Sequence, residues 1–178
     1  MTIIQTNKIK RTTVYGIGIA LFVVLSLCLQ VPVFDNYYLC LGYLVMAVYS
    51  YSIGTLAGAT VGTLGVILYC FLINGLRGMP GWAIGNIFIG IISGFAFKKS
   101  RNIKNTLFSN GICLFGIFLG TAIGILGAKS FIEAVLYAQP MLIRVAKNTS
   151  AFIADIIVLL FSIPLCKILD PHIQKFLK

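Results

Sequence analysis

The strongest constraint in this sequence is the length of its apolar runs. A helix needs roughly 20 largely apolar residues to cross the hydrocarbon core of a bilayer. Six segments approach that length: about Thr13–Val31, Leu39–Ile53, Leu56–Ile73, Trp82–Phe97, Leu107–Ala128 and Ala151–Leu169. The second is short and rich in tyrosine, and the break after it, SIGTLAG, is tight and uncharged. Composition excludes a water-facing alternative. Only 10% of the 178 residues are charged and 59% are hydrophobic, whereas a soluble domain carries about 25% charged residues. The expected fold is therefore all-α, an integral membrane six-helix bundle forming one domain over residues 1–178, with no low-complexity segment and no soluble domain. The basic N-terminal stretch followed by an apolar run is read as a retained first helix, because no A-x-A-like cleavage site follows it.

The net charge of +10 would suggest nucleic acid in a soluble protein. Here its meaning lies in where the positive residues fall along the chain. Lys8, Lys10 and Arg11 precede the first segment; Lys98, Lys99, Arg101 and Lys104 lie between the fourth and fifth; Lys167, Lys175 and Lys178 close the sixth. With six crossings all of these share one side, and only Arg77, Lys129, Arg144 and Lys147 fall on the other. The positive-inside rule then places both termini in the cytoplasm. A five-crossing chain would split the terminal clusters across the membrane. The charge is thus spent on topology, and no nucleic-acid partner is expected.

On this topology three connections face outward. They are VPVFDNYY (Val31–Tyr38), NGLRGMPGW (Asn74–Trp82) and the long stretch Lys129–Ser150. The last is too apolar for a floppy loop, and a short helix over Ser130–Ala138, stopped by Pro140, is expected in it. Long ordered loops are usually functional. The second connection holds the only tryptophan of the chain, with glycines that allow sharp turns and Pro80 to stiffen them. Trp82 and Asn86 lie one helical turn apart on one face. Tyr43 and Asn36 belong to the first outward region, and Asn148 is expected to open the sixth helix.

Asp155 is the only acidic residue inside an expected membrane-crossing helix, about four residues from its start. A carboxylate there costs roughly 2.5–3.5 kcal/mol to insert, so it must face the bundle or a cavity. Arg77, Arg144 and Lys147 are the candidate partners. Asn36, Tyr43, Asn74, Arg77, Trp82, Asn86, Asn148 and Asp155 together offer amides, flat rings and two charges at one membrane face. Pockets for small molecules are mostly apolar with a few convergent polar groups, and this set fits that description. Interface anchoring by Trp82 and a structural ion pair at Asp155 are the plain alternatives.

Catalysis is not expected. His172 is the only histidine, and there is no HExxH, GxSxG or GxxxxGK[ST] motif. The five cysteines are scattered through apolar runs without a CxxC, so they read as small hydrophobes, not metal ligands or disulfides. No metal and no cofactor is expected. Small residues recur every four positions: Gly16 and Ala20; Gly54, Gly58 and Gly62; Gly90 and Gly94; Gly116, Gly120 and Gly124. Such spacing lets helices approach closely.

The run Leu41–Gly94 carries a specific likeness. It reads G-x-x-x-G, then a glycine-rich outer loop with an aromatic residue, then G-N-x-x-x-G at Gly85, Asn86 and Gly90. In this order, and in length and charge distribution over nearly the whole chain, the protein resembles the substrate-binding (S) components of energy-coupling factor (ECF) type vitamin transporters. The resemblance implies a multi-pass protein of the prokaryotic cell membrane that binds a water-soluble vitamin or precursor at its outer face. It implies pairing with a transmembrane coupling subunit and two cytoplasmic ATPases, which would supply the ATP hydrolysis this non-catalytic chain lacks. It also implies that the whole subunit topples in the lipid to deliver its cargo. The family's A-x-x-x-A docking face on the first helix is matched here by Gly16-x-x-x-Ala20. Among cargoes, a hydroxymethylpyrimidine- or pyridoxine-type ring suits the candidate residues first, then pantothenate, then a riboflavin-type ligand. The competing functions are a stand-alone channel or facilitator, which would need a polar stripe through the bundle, and a structural membrane protein.

Overall fold

The computed structural model of the chain describes residues 3–28, 30–34, 37–73 and 75–177, with side-chain surroundings for 10–28, 39–73 and 75–175. Helix α1 spans Ile3–Cys28 and is followed by an antiparallel hairpin, β1 (Gln30–Phe34) and β2 (Tyr37–Cys40). Then come α2 (Gly42–Ser52), α3 (Thr55–Leu72) and α4 (Met79–Arg101). Helix α5 (Thr106–Thr121) runs through a π-helical segment (Ala122–Lys129) into α6 (Ser130–Leu136), and α7 covers Met141–Leu177. Among the described residues five stretches are long and apolar enough to cross a membrane: Lys10–Cys28, Thr55–Leu72, Met79–Arg101, Thr106–Leu136 and Met141–Lys175.

Three expectations are corrected. The second apolar segment is not a full-length helix: α2 has 11 residues, about 16 Å of rise, roughly half the hydrocarbon thickness. The preceding outward connection is a hairpin, not a loop, so the architecture is helical with one small two-stranded sheet. The third outward connection is almost wholly helical. Its first half continues α5 without a break, and its second half is the start of α7, which begins ten residues before the expected Ala151. The chain reverses between α6 and α7 at Ala138, which adopts a positive φ of 50°.

Local chemistry explains the ends. Gly54, with φ of 133°, makes the reversal between α2 and α3, a conformation that side chains disfavour. Pro80 sits in the first turn of α4, where no hydrogen bond is lost. Lys98, Lys99 and Arg101 close the last turn of α4, complementing the helix dipole. The Asn105 side chain caps α5 by accepting from the Leu107 and Phe108 amides.

The small-residue faces bring the middle helices together. A Cβ on Gly90 would stand 2.6 Å from the Ala59 backbone, and one on Gly94 2.7 Å from the Thr55 side chain, so α3 and α4 touch backbone to backbone. Gly85 and Gly124 do the same for α4 and the π-helical segment: each faces the other's carbonyl oxygen. In α1 the packing glycine is Gly18, under Tyr49 and Val61, whereas Gly16 faces open space.

Side-chain contacts sort the helix ends into two poles. At the basic pole Arg101 at the end of α4 binds the Tyr51 carbonyl of α2 (3.0 Å) and Asp170 of α7 (2.6 Å). Gln174 donates to the Ser52 carbonyl there (2.6 Å). At the opposite, aromatic pole the start of α2 meets the start of α4, the end of α1 and the middle of α7. Helix α2 therefore runs antiparallel to α1 and α3, with the hairpin at its head.

Candidate functional site

The aromatic pole is organised by one buried chain of hydrogen bonds. The Trp82 indole N–H donates to the Tyr43 hydroxyl (2.8 Å), Tyr43 donates to Asn86 Oδ1 (2.9 Å), and Asn86 Nδ2 donates to the Gly62 carbonyl (2.9 Å). Tyr43 and Asn86 are 0% exposed. Three elements, α2, α3 and α4, are thus tied through side chains that each have a partner, which is what a buried polar network requires. The Trp82 ring takes an edge contact from Tyr69, with centroids 5.6 Å apart and planes at 82°. The glycine at position 62 admits this: a Cβ there would press on Met46 at 2.3 Å and on Asn86 at 3.5 Å.

Beside this network stand the charged residues. Asp155 on α7 is 6% exposed. Because α7 starts at Met141, it lies about four turns into the helix, deeper than the sequence suggested. Its charge acts on Tyr43, on Cys40 and on Lys129 at the end of the π-helical segment. The Tyr43 hydroxyl is in hydrogen-bonding reach of its carboxylate, and of the expected partners Arg77 and Arg144 are turned elsewhere. Arg144 instead reaches Glu133 (3.8 Å) and stacks over Tyr137 (4.1 Å to the ring centroid). Arg77 is exposed.

Asn148 is buried, two turns inside α7 and not at its opening. It donates to Ser130 Oγ (3.0 Å) and Glu133 Oε2 (2.9 Å). Glu133, itself buried, thereby gathers Asn148 and Arg144 of α7 onto α6. Gly81 of α4 makes room for it, since a Cβ there would meet Glu133 Cγ and the Lys129 carbonyl at 3.2 Å.

Of the residues proposed from sequence, the structure brings together Tyr43, Trp82 and Asn86, with Asp155 facing them. Asn148 is in an adjoining cluster, Arg77 is outside on the rim, and Asn36 and Asn74 lie outside the described residues. Sequence reasoning missed Lys129, Glu133, Ser130 and Tyr69. Glu133 carried one legible signal, as one of four acidic residues in the chain; the others had none. Among the described residues no group of three or more His, Cys, Asp or Glu side chains is placed to hold a metal ion. Nothing in the cluster pairs a nucleophile with a base. What it offers is hydrogen-bond donors and acceptors, aromatic edges and two opposite charges inside an apolar shell.

Comparison with known proteins agrees with this architecture. A family model described as "ECF-type riboflavin transporter, S component" matches residues 6–170. A UPF0397 protein of Aliivibrio salmonicida (strain LFI1238) is 32% identical over 136 residues, 74% of this chain and 73% of that protein. UPF0397 protein YdcD of Lactococcus lactis subsp. lactis (strain IL1403) is 28% identical over 143 residues, 76% of each chain. A UPF0397 protein of Lactococcus lactis subsp. cremoris (strain SK11) is 31% identical over 110 residues, and the match spans 56% of its length. No solved structure matches the chain. A family match over most of the sequence, on a helical bundle with five apolar spans, leads to one assignment: the chain belongs to the family of ECF-type riboflavin transporter S components.

Proposed function

We propose that this chain captures a water-soluble, ring-bearing vitamin or vitamin precursor at its aromatic pole and delivers it through an ECF complex. The observation that carries this reading is the buried relay Trp82–Tyr43–Asn86 with Asp155 beside it. An apolar bundle that only had to hold itself together would gain little from placing a carboxylate there. Tyr43, Trp82, Asn86, Asn148 and Asp155 form the proposed binding set, with Asn36, Asn74 and Arg77 on the outward connections. The description of the matching family supports a riboflavin-type cargo, and hydroxymethylpyrimidine, pyridoxine and pantothenate complete the panel to be tried.

The proposed orientation has six crossings and both termini in the cytoplasm, with α2 and its hairpin acting as the shortest crossing. The meeting of α2, α4 and α7 at the basic pole supports it, as does the gathering of lysines there. ATP hydrolysis is assigned to two partner ATPases, and docking to a transmembrane coupling subunit. Gly16 and Ala20 are exposed on α1 and a Cβ on Gly16 would meet nothing. That face, with Ile17 and Val24 also exposed, is free to receive a partner helix.

Trp82 is the only tryptophan, so its fluorescence reports on the site directly. One member of the panel should change it saturably in the purified subunit, with no ATP present. A folded subunit that responds to none of them refutes the reading. Gly16→Leu should leave this titration unchanged and abolish co-purification with the coupling subunit; normal assembly of that variant would remove the docking face from α1.

A further inference from the structure

Helix α1 has two unlike faces. Gly16, Ile17, Ala20, Leu21 and Val24 are exposed, whereas Val14, Gly18, Phe22 and Ser26, spaced four apart, form a stripe turned into the bundle. This inner stripe meets α2 in two places. In its first half the Val14 carbonyl accepts from the Tyr49 hydroxyl (2.8 Å), and Gly18 lies against the Tyr49 ring. In its second half the Phe22 ring makes an edge contact with the Tyr43 ring, centroids 6.2 Å apart and planes at 69°. Ser26 gives its one proton to the Phe22 carbonyl (2.7 Å) and so accepts from the Cys40 thiol (3.2 Å). Helix α1 is thus pinned to α2 and its hairpin on both sides of Phe22.

Phe22 is 0% exposed. Its ring fills space that two other elements leave free: a Cβ on Gly42 would stand 2.9 Å from Phe22 Cγ, and one on Gly65 2.5 Å from Phe22 Cδ1. Gly42 directly precedes Tyr43. Tyr43 in turn is the hub of the aromatic pole, since it accepts from Trp82, donates to Asn86 and reaches Asp155. Those partners fix its hydroxyl end, and Phe22 bears on its ring. Groups that bind a ligand must be held to within about 0.5 Å by the packing behind them. A tilt of the Tyr43 ring would move the one hydroxyl that three site residues share.

Resting on the vitamin-binding reading above, we propose that Phe22 is a positioning residue for cargo recognition. It sets the tilt of Tyr43, and through Tyr43 the directions in which Trp82, Asn86 and Asp155 meet the cargo. Helix α1 contributes no residue to the proposed binding set, yet it tunes the affinity of the site from behind.

The test compares wild type, Phe22→Leu, Ser26→Ala and Gly18→Ala, purified in detergent, by titration of Trp82 fluorescence with riboflavin, hydroxymethylpyrimidine, pyridoxine and pantothenate. Gly18→Ala disturbs the same stripe away from the site: its added Cβ would stand 2.6 Å from the Tyr49 ring and 2.9 Å from Val61. Phe22→Leu and Gly18→Ala should both lower the melting temperature. The panel member that wild type binds should bind Phe22→Leu ~3- to 10-fold more weakly, the size of a lost edge contact between rings. Gly18→Ala should stay within about twofold of wild type. The ligand-free proteins give a second readout. Because Trp82 is bonded to Tyr43, its emission should shift in Phe22→Leu and not in Gly18→Ala. If Phe22→Leu does not fold, Ser26→Ala decides: it unpins the same end of α1 and should weaken binding by ~2- to 5-fold. Affinity equal to wild type in the deciding variant overturns this inference. So does an equal loss in Gly18→Ala, which would make α1 a support for the fold as a whole. Either result leaves the vitamin-binding reading in place. A folded wild type that binds nothing in the panel overturns both.

Discussion

The two poles of the bundle handle polar groups in opposite ways. At the basic pole Arg101 is held by Asp170, by the Tyr51 carbonyl and by the face of the Tyr51 ring, 5.2 Å from its centroid. Lys167 binds Asn110, and Ser100, Ser109 and Cys113 share their hydrogen bonds. One hydroxyl, Ser52 Oγ, is left over. At the aromatic pole the uncharged relay and the Glu133 clasp are closed, Asp155 reaches the Tyr43 hydroxyl, and among the described residues Arg144 Nε and Gln139 Oε1 are buried without a partner. Closed charges hold helices together. Buried polar atoms without a partner cost free energy until something satisfies them. On the proposed reading, the difference separates a pole built for structure from one built for recognition.

Asn86 offers the severest way to break this distinction, because it belongs to both categories. It is fully buried, accepts from Tyr43 and donates to Gly62. Asn86→Ala removes the acceptor of the Tyr43 proton and the side-chain bond to the Gly62 carbonyl from an apolar interior, at a cost of about 1–3 kcal/mol in all. We expect a marked fall in melting temperature in detergent and loss of the ligand response together. Normal stability with lost binding would mean that the relay is held by cargo and not by the fold. Normal binding would remove the relay from the site.

The same distinction bears on what could be read from sequence. The spans were legible because the cost of exposing polar backbone to lipid forces long apolar runs, and the close α3–α4 and α4–α5 contacts were legible from glycine spacing. The pairing of Trp82 with Asn86 followed from one helical turn. The hairpin was missed although Asp35-Asn36 between apolar and aromatic residues is a turn signal, because Pro32 argues against a strand. The start of α7 was missed because Arg144, Lys147 and Asn148 look like loop residues until Glu133 and Ser130 are seen to receive two of them. Lys129 beside Asp155 had no signal at all. It depends on a π-helical winding that leaves no apolar period and on two elements brought together only by the fold.

Arg101 tests the closed pole with a smaller effect. Its side chain is 34% exposed, so solvent screens the pair with Asp170, and partly exposed pairs of this kind contribute about 0–1 kcal/mol. The carbonyl and ring contacts add to it. Arg101→Ala should lower the melting temperature by a few degrees and leave the affinity of the site unchanged. A loss of affinity would show that the poles are coupled, so that closing one conditions the other.

Arg77 tests the boundary of the open pole, with the smallest effect expected. Composition and position made it a natural partner for Asp155, yet it is exposed on the connection between α3 and α4, and exposed substitutions usually stay within about 0.5 kcal/mol. Arg77→Ala should therefore change the affinity less than twofold and the melting temperature not at all. A neutral cargo feels no long-range pull from one surface charge, so its association rate should also be indifferent to salt between low ionic strength and ~0.15 M, where the screening length is about 8 Å. A tenfold loss of affinity would mean that this connection folds inward over the bound cargo. The aromatic pole would then include the connection itself, with Arg77 as part of the site.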